Sequence, residues 1–464
     1  MRTYVLDPAA RMPLYEQLYR ALKEDILSGV IAGGEKLPSK RALADHLSIS
    51  RITVENAYSQ LLAEGYLVSR PRSGFYAETL EALPGQKTVP QGRQTPAPVS
   101  APPPPSANHF PFSVWAKLMR NVLLDRHDQL LLPPPNIGLA DLRCAIAGML
   151  LRSRGMAVNP DCIVIGAGAE YLYNILIQLL GRDNGFGLED PGHQKIRRVY
   201  EANGLTVCPV SLDESGVDLD SLSRSGATVL HISPGHQFPT GIITPITRRR
   251  QLMAWLGDAP NRWLVEDDYD SEFRFSGKMI PTMHSMDTTG RVIYLNTFSR
   301  TITPALRISY MILPAALMER YHRLLGFYSC TVPSFEQLTL ARFLDDGYFE
   351  KHISRMKRHY RLLRDRFLTL LRQSPLSNRM SIQGDEAGLH FLLQLQTDLP
   401  DRQIEEKLAA AGIRAASLQN YTIAPETHPG QVVIHYSDLE EADLPRVIRL
   451  LEELVTDQSD HPEP

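Results

Sequence analysis

Apolar side chains at Leu14, Leu18, Leu22 and Ile26 recur at helical spacing between Pro13 and Ile31, and Gly29, Gly33 and Gly34 close the run, which predicts a first helix there. Ser39, a good N-cap, announces a second helix over Lys40 to Leu47. Only Ser48-Ile49-Ser50 separate it from a third, Arg51 to Glu64, and two short helices joined by so tight a turn form a helix-turn-helix. In the third helix Val54, Ala57, Tyr58, Leu61 and Leu62 can face a core, which leaves Arg51, Thr53, Asn56 and Gln60 mostly on other faces. Gly65 to Tyr76 then reads as two short strands around a basic tip, a wing.

Beyond residue 109 the pattern changes to short apolar runs alternating with helical stretches. Candidate strands are Cys162–Ile165, Gly185–Leu188, Thr206–Val210, Thr228–Ile232, Trp263–Glu266, Val292–Leu295 and Ser309–Leu313. Strands separated by helices predict an α/β core with a largely parallel sheet, whose ligands bind near the carboxyl ends of the strands. Between the two patterns, Leu83 to Asn108 holds eight prolines and no aromatic residue. Such a stretch buries too little to fold, so residues 78–108 are expected to be a semi-rigid linker between a unit at 1–77 and a unit at 109–464. Pro102 to Pro105 is also a shape that a proline-binding module would accept.

Composition narrows the classes. At 43% hydrophobic and 22% charged residues, the 464-residue chain sits near globular averages, which excludes a collagen-like or wholly disordered protein. Residues Met1 to Pro8 lack an apolar signal core and no apolar run approaches a membrane span, so the expected location is cytoplasmic, with no membrane partner. Cys144, Cys162, Cys208 and Cys330 show no paired spacing and are expected to be buried thiols, with neither disulfides nor a metal site. The net charge of -3 argues against a protein that coats nucleic acid over its whole surface. From Lys36 to Tyr76, however, six basic residues face three acidic ones, a local excess suited to phosphates. Arg51 and Asn56 are able to read base edges, and Ser50 and Thr53 to donate to phosphates, although a winged helix with merely solvated charges also serves protein contacts.

The string from Lys36 to Tyr76 resembles the GntR-type winged helix-turn-helix along its full length, including the Leu37-Pro38-Ser39 entry, the Ser50-Arg51 start of the third helix and the Ser73-Gly74 wing. The resemblance implies double-stranded DNA as partner. It places Ser39, Arg41, Ser50, Arg51, Thr53, Ser73 and Gly74 at contacting positions, with Lys40, Asn56, Arg70 and Arg72 beside them.

In the large unit, three groups of residues lie at expected strand ends. Gly166-Ala167-Gly168-Ala169 opens a helix whose amides can cradle an anion, although such turns also need glycine for packing. Asp267 and Tyr269 sit two apart, so a carboxylate and a phenol project to one side and can meet a protonated ring nitrogen and a ring hydroxyl; a solvated acidic turn gives the same string. Thr297, Ser299, Arg300 and Arg307 supply hydroxyls and guanidinium groups suited to a phosphate. Together with Phe110 to Trp115 and Ser233 to Gly241, these segments resemble a fold-type I, pyridoxal-phosphate-dependent aminotransferase domain, and the whole chain resembles the MocR-type regulators. The resemblance implies that Asp267 pairs with the pyridine nitrogen and Tyr269 with the ring hydroxyl. By the same resemblance Gly168, Ala169, Thr297, Ser299 and Arg307 surround the phosphate. It also implies a head-to-tail homodimer and a small-molecule effector.

Three departures qualify it. Arg300 stands where the family has the lysine that bonds the cofactor aldehyde, and a guanidinium that stays protonated cannot act as that nucleophile. His193 replaces a tyrosine expected to pack on the cofactor ring, and Val432 to Tyr436 lacks the arginine that grips an amino-acid carboxylate. No catalytic residue is therefore expected. The pocket retains grips for noncovalent pyridoxal phosphate or its amine form, or serves another ligand. Two rivals stand beside a ligand-sensing regulator: a working pyridoxal enzyme with a DNA-binding appendage, and an architectural DNA binder whose large unit only dimerises.

Overall fold

A computed structural model describes residues 2–8, 10, 12–71, 73–79, 109–275, 280–423 and 429–456. Arg72 and nearly all of the expected linker lie outside the described residues. The chain divides into two compact units, Met1–Pro98 and Val99–Pro464.

In the small unit the helices are α1 (Leu14–Leu27), α2 (Lys40–Leu47) and α3 (Arg51–Ala63), followed by the hairpin β1 (Leu67–Arg70) and β2 (Gly74–Ala77). Ser39 caps α2 by accepting from the Ala42 amide at 3.2 Å, and Ser50 caps α3 by accepting from Thr53 at 3.1 Å. Each such cap satisfies an otherwise orphaned donor and contributes about 1 kcal/mol. Val54, Ala57, Tyr58 and Leu61 are fully buried against Leu18, Leu22 and Ile26 of α1, while Leu62 is only half-buried. The Tyr58 hydroxyl donates to the Pro38 carbonyl at 3.0 Å, which ties α3 to the entry of α2.

The large unit is built on an eight-stranded sheet in the order β3-β10-β9-β8-β7-β4-β5-β6. Its strands are β3 (Ile163–Gly166), β4 (Gly185–Asp190), β5 (Thr206–Asp213), β6 (Gly216–Val217), β7 (Val229–Ile232), β8 (Trp263–Asp267), β9 (Val292–Thr297) and β10 (Ser309–Ile312). β10 runs antiparallel to both neighbours and β6 antiparallel to β5; the other named pairs are parallel. Ile293 and Leu295 of β9 enter the core on one face, Val292 and Tyr294 the cores on the other. Burial on both faces is why these strands read as continuous apolar runs in the sequence.

A second sheet, β11 (Met380–Gln383), β12 (Phe391–Leu395), β13 (Ala415–Ser417) and β14 (Gln431–Ile434), is ordered β11-β12-β14-β13 and antiparallel throughout. It packs on the long helix Tyr348–Gln373 through Phe391, Leu393, Val432 and Ile434 against Tyr360, Leu363 and Phe367. The expectation of buried thiols is corrected. Cys144 is exposed and the other three cysteines are half-buried, all free. Cys144 lies on the helix Ala140–Arg154, whose inward stripe is Leu142, Ile146, Met149 and Leu150, so its thiol points away from that core. Among the described residues no helix is long and apolar enough to cross a membrane.

Candidate functional site

On the small unit, Arg41, Arg51, Asn56, Arg70 and Ser73 are exposed. Arg41 makes only a loose pair with Asp45 at 3.9 Å. The wing is braced from within: the Ser73 and Tyr76 hydroxyls share a 2.6 Å hydrogen bond, and the Arg70 guanidinium lies 4.5 Å from the Tyr76 ring centroid. Gly74 has a φ of +117°, a conformation an L side chain rarely adopts. Lys40 is less free than its sequence position implies, because its ammonium donates to Glu55 at 2.7 Å and lies 5.4 Å from the Phe75 ring. Ser39 and Ser50 spend their side chains partly on helix capping, and the Ser50 and Thr53 hydroxyls share a 2.8 Å hydrogen bond.

On the large unit the candidate residues collect at the carboxyl ends of β3, β4, β8 and β9. Asp267, the last residue of β8, is buried; it accepts from the Tyr173 hydroxyl at 2.6 Å and lies 3.5 Å from His231 Nε2. Burial alone would raise its pKa, but the His231 imidazole, the Tyr173 hydroxyl and nearby His193 outweigh that and hold the carboxyl below its usual range. The site therefore keeps a carboxylate in a nearly water-free setting. Tyr269 is buried too, its hydroxyl 3.2 Å from His236 Nδ1. His193, at the start of the helix Gln194–Ala202, stacks on Phe238 with centroids 4.4 Å apart, so one face of the ring is taken by the protein itself. Burial pushes its pKa down to about 4, leaving the imidazole neutral at pH 7.

At the other end, Gly168 caps the helix Ala169–Leu180 with a φ of +96°, and a Cβ there would sit 2.2 Å from Arg307 Nη2. Arg307, itself at a φ of +51°, donates to Glu170 at 2.6 Å, and Lys195 pairs with the same carboxylate. Although burial opposes it, these cations pull the Glu170 carboxyl down to about 2. The guanidinium expected on a phosphate is thus already matched by an internal anion. Thr297 accepts from the Ser299 amide at 3.2 Å and from the Ser309 hydroxyl at 2.8 Å. Ser299 Oγ is buried with no hydrogen-bond partner, an orphaned hydroxyl of the kind a ligand oxygen would satisfy.

Arg300 opens onto a pocket that it shares with Lys195, Arg198, Arg414, Phe238 and His435. Among the described residues it has no hydrogen bond or ion pair of its own. Sequence reasoning missed Glu170, Tyr173, Lys195, His231 and Arg414. Tyr173 was within reach, since residues four apart on a helix share a face and Ala169 had been singled out. Arg414 was not, because only the pairing of β13 with β14 brings it beside His435.

Residues 14–77 match the model of the bacterial regulatory proteins, gntR family. Over 461 residues the chain is 36% identical to an HTH-type transcriptional regulator of Bacillus subtilis, YdeL, covering 97% of this chain and 98% of that one. It is 30% identical over 436 residues to the probable rhizopine catabolism regulatory protein MocR of Rhizobium meliloti, covering 89% and 88%. It is 31% identical over 425 residues to the pyridoxine biosynthesis transcriptional regulator PdxR of Corynebacterium glutamicum, covering 90% of each. In fold, the structure is similar to a kynurenine aminotransferase from Pyrococcus horikoshii, with a TM-score of 0.67 at 21% identity over 76% of this chain and 89% of that one.

Proposed function

Because the chain belongs to the MocR-type transcriptional regulators, a GntR-family head joined to a fold-type I aminotransferase-like domain, we propose that its large unit is a noncatalytic sensor holding pyridoxal phosphate without a covalent bond. What carries this reading is the presence in one chain of a buried, ionised Asp267 and of an arginine, Arg300, at the position where the resemblance puts the cofactor-bonding lysine. The carboxylate is what a protonated pyridine nitrogen needs; the guanidinium is what a covalent link cannot use.

Each residue then has a task. Asp267 accepts from the ring nitrogen, oriented by Tyr173 and His231, and Tyr269 meets the ring hydroxyl. The amides at Gly168 and Ala169, the hydroxyls of Ser299 and Thr297, and Arg307 surround the phosphate, while His193 lies against the ring. When bound, the group would supply an electron-withdrawing ring. A guanidinium at position 300 offers no free amine to bond the aldehyde, so amino-group transfer stops there. The head reads DNA through Arg51 and Asn56 at the base edges, with Arg41, Arg70 and the wing on phosphates. A head-to-tail homodimer would present two such helices to paired half-sites. The ligand acts on transcription only as far as one dimer geometry binds it more tightly than another. The PdxR relative, named for pyridoxine biosynthesis, supports a vitamin B6 compound as the ligand.

Calorimetric titration with pyridoxal phosphate and, separately, pyridoxamine phosphate tests this, with Arg307→Ala as the control for the phosphate grip. Saturable binding lost in the variant is expected. Absence of binding by both compounds would leave a DNA-binding regulator with a different effector.

A further inference from the structure

Beside Tyr269, three segments far apart in sequence bring two histidines and a carboxylate together. His236 lies in the loop after β7, Asp270 in the loop after β8, and His390 immediately before β12. Each is only 3% exposed. Their ligand-bearing atoms all lie within 4.8 Å of one another, and the two imidazole centroids are 4.8 Å apart.

One ring nitrogen of each histidine is already committed. His236 Nδ1 lies 2.9 Å from Asp270 Oδ2, and His390 is hydrogen-bonded to the Pro239 backbone. The Nε2 atoms of both are buried with no partner. Two unpartnered, buried imidazole nitrogens leave two lost hydrogen bonds at one place in the fold. An imidazole whose one nitrogen is fixed by an oxygen acceptor and whose other is bare is also the usual state of a metal-bound histidine. Gly388 closes the site at its backbone: its φ is +73°, and a Cβ there would meet His236 Cε1 at 1.9 Å and Asp270 Oδ2 at 2.8 Å.

We propose that His236, Asp270 and His390 form a binding site for one divalent transition-metal ion of the zinc class. Two imidazoles and a carboxylate are a borderline donor set that favours zinc, cobalt or nickel over magnesium or calcium. Zinc-to-nitrogen bonds of about 2.0–2.1 Å require donors roughly 3.3–3.5 Å apart, so the groups need to close by about 1.5 Å at most. Three protein donors leave a fourth position for water or ligand. The cysteine spacing gave no hint of this site because no thiolate belongs to it. The proposal does not depend on pyridoxal phosphate binding.

The test uses full-length protein stripped with chelator, loaded with zinc and dialysed against a weak chelator. One zinc retained per chain is expected, with affinity lowered about 100-fold or more in His390→Gln and in Asp270→Asn. Thermal melting without metal checks that each variant folds. Because a variant can fail that check, zinc-edge X-ray absorption on the loaded wild type reads the ligands directly: two imidazoles and oxygen are expected. Retention below about 0.1 zinc per chain, equal retention in a folded variant, or a spectrum showing sulfur from Cys144 in place of imidazole overturns the proposal.

Discussion

Glu170→Gln should tighten the binding of a phosphate-bearing ligand. The carboxylate sits inside the expected phosphate cradle, 2.6 Å from the Arg307 guanidinium and paired with Lys195. A phosphate accepted there would stand about 4–5 Å from this negative charge, a repulsion of roughly 3–4 kcal/mol at an effective dielectric of about 20. The side chain is 28% exposed, so solvent and salt reduce the net cost to about 1–2 kcal/mol. Glutamine keeps an acceptor for Arg307 and removes the charge. The dissociation constant for pyridoxal phosphate should fall about 5- to 30-fold, measured by calorimetry at low salt, and by less at high salt. With its carboxyl held at about 2, Glu170 stays charged throughout ordinary buffers, so between about pH 5 and pH 8 the gain should follow only the second ionisation of the phosphate, at about pH 6, and grow as pH rises. Unchanged or weaker binding in Glu170→Gln would refute the assignment of this cradle to the phosphate.

Three further outcomes are expected. Gly168→Ala forces a side chain into a φ of +96° and against Arg307, so ligand affinity should fall at least about 10-fold while the affinity for operator DNA without ligand, read by fluorescence anisotropy, stays unchanged. Arg51→Ala should cost about 1–3 kcal/mol of specific DNA affinity and relax base preference, whereas Arg41→Ala should weaken binding to all sequences alike and flatten the salt dependence, both read by the same anisotropy titration. His435 is buried with its pKa lowered to about 3. Below about pH 6.5 the unfolded chain takes a proton there that the folded one refuses until about pH 3, so stability falls as pH falls. This group alone should remove about 2 kcal/mol between pH 7 and pH 5, and chemical denaturation of His435→Asn should show a correspondingly shallower loss.

The head was legible because its signals are local: Ser39 and Ser50 cap the helices they precede, and Val54, Ala57, Tyr58 and Leu61 fall on one stripe. The main sheet was legible because strands buried on both faces are short apolar runs. The second sheet was missed, since β11 and β13 are half-exposed and their pairing joins segments as distant as Ala415 and Ile434. At the candidate site, spacing and resemblance singled out Asp267, Tyr269 and Arg307, which the fold brings to strand ends of one sheet. What surrounds them was not legible. Glu170 as the partner of Arg307 is a contact 137 residues apart, and His231 on Asp267 depends on the register between β7 and β8. Buried thiols were expected from residue type alone, and the helix stripe that turns Cys144 outward overrode that expectation.

Trapping distinguishes a pocket that holds pyridoxal phosphate without bonding to it from one that forms a covalent link. Wild-type protein saturated with the cofactor is treated with borohydride, then split between ultrafiltration and intact-mass measurement, with Arg300→Lys carried in parallel. Saturable binding that ultrafiltration reverses and an unmodified wild-type chain are expected, while Arg300→Lys gains one reduced adduct at residue 300. A stoichiometric adduct on the wild-type chain would contradict noncovalent binding.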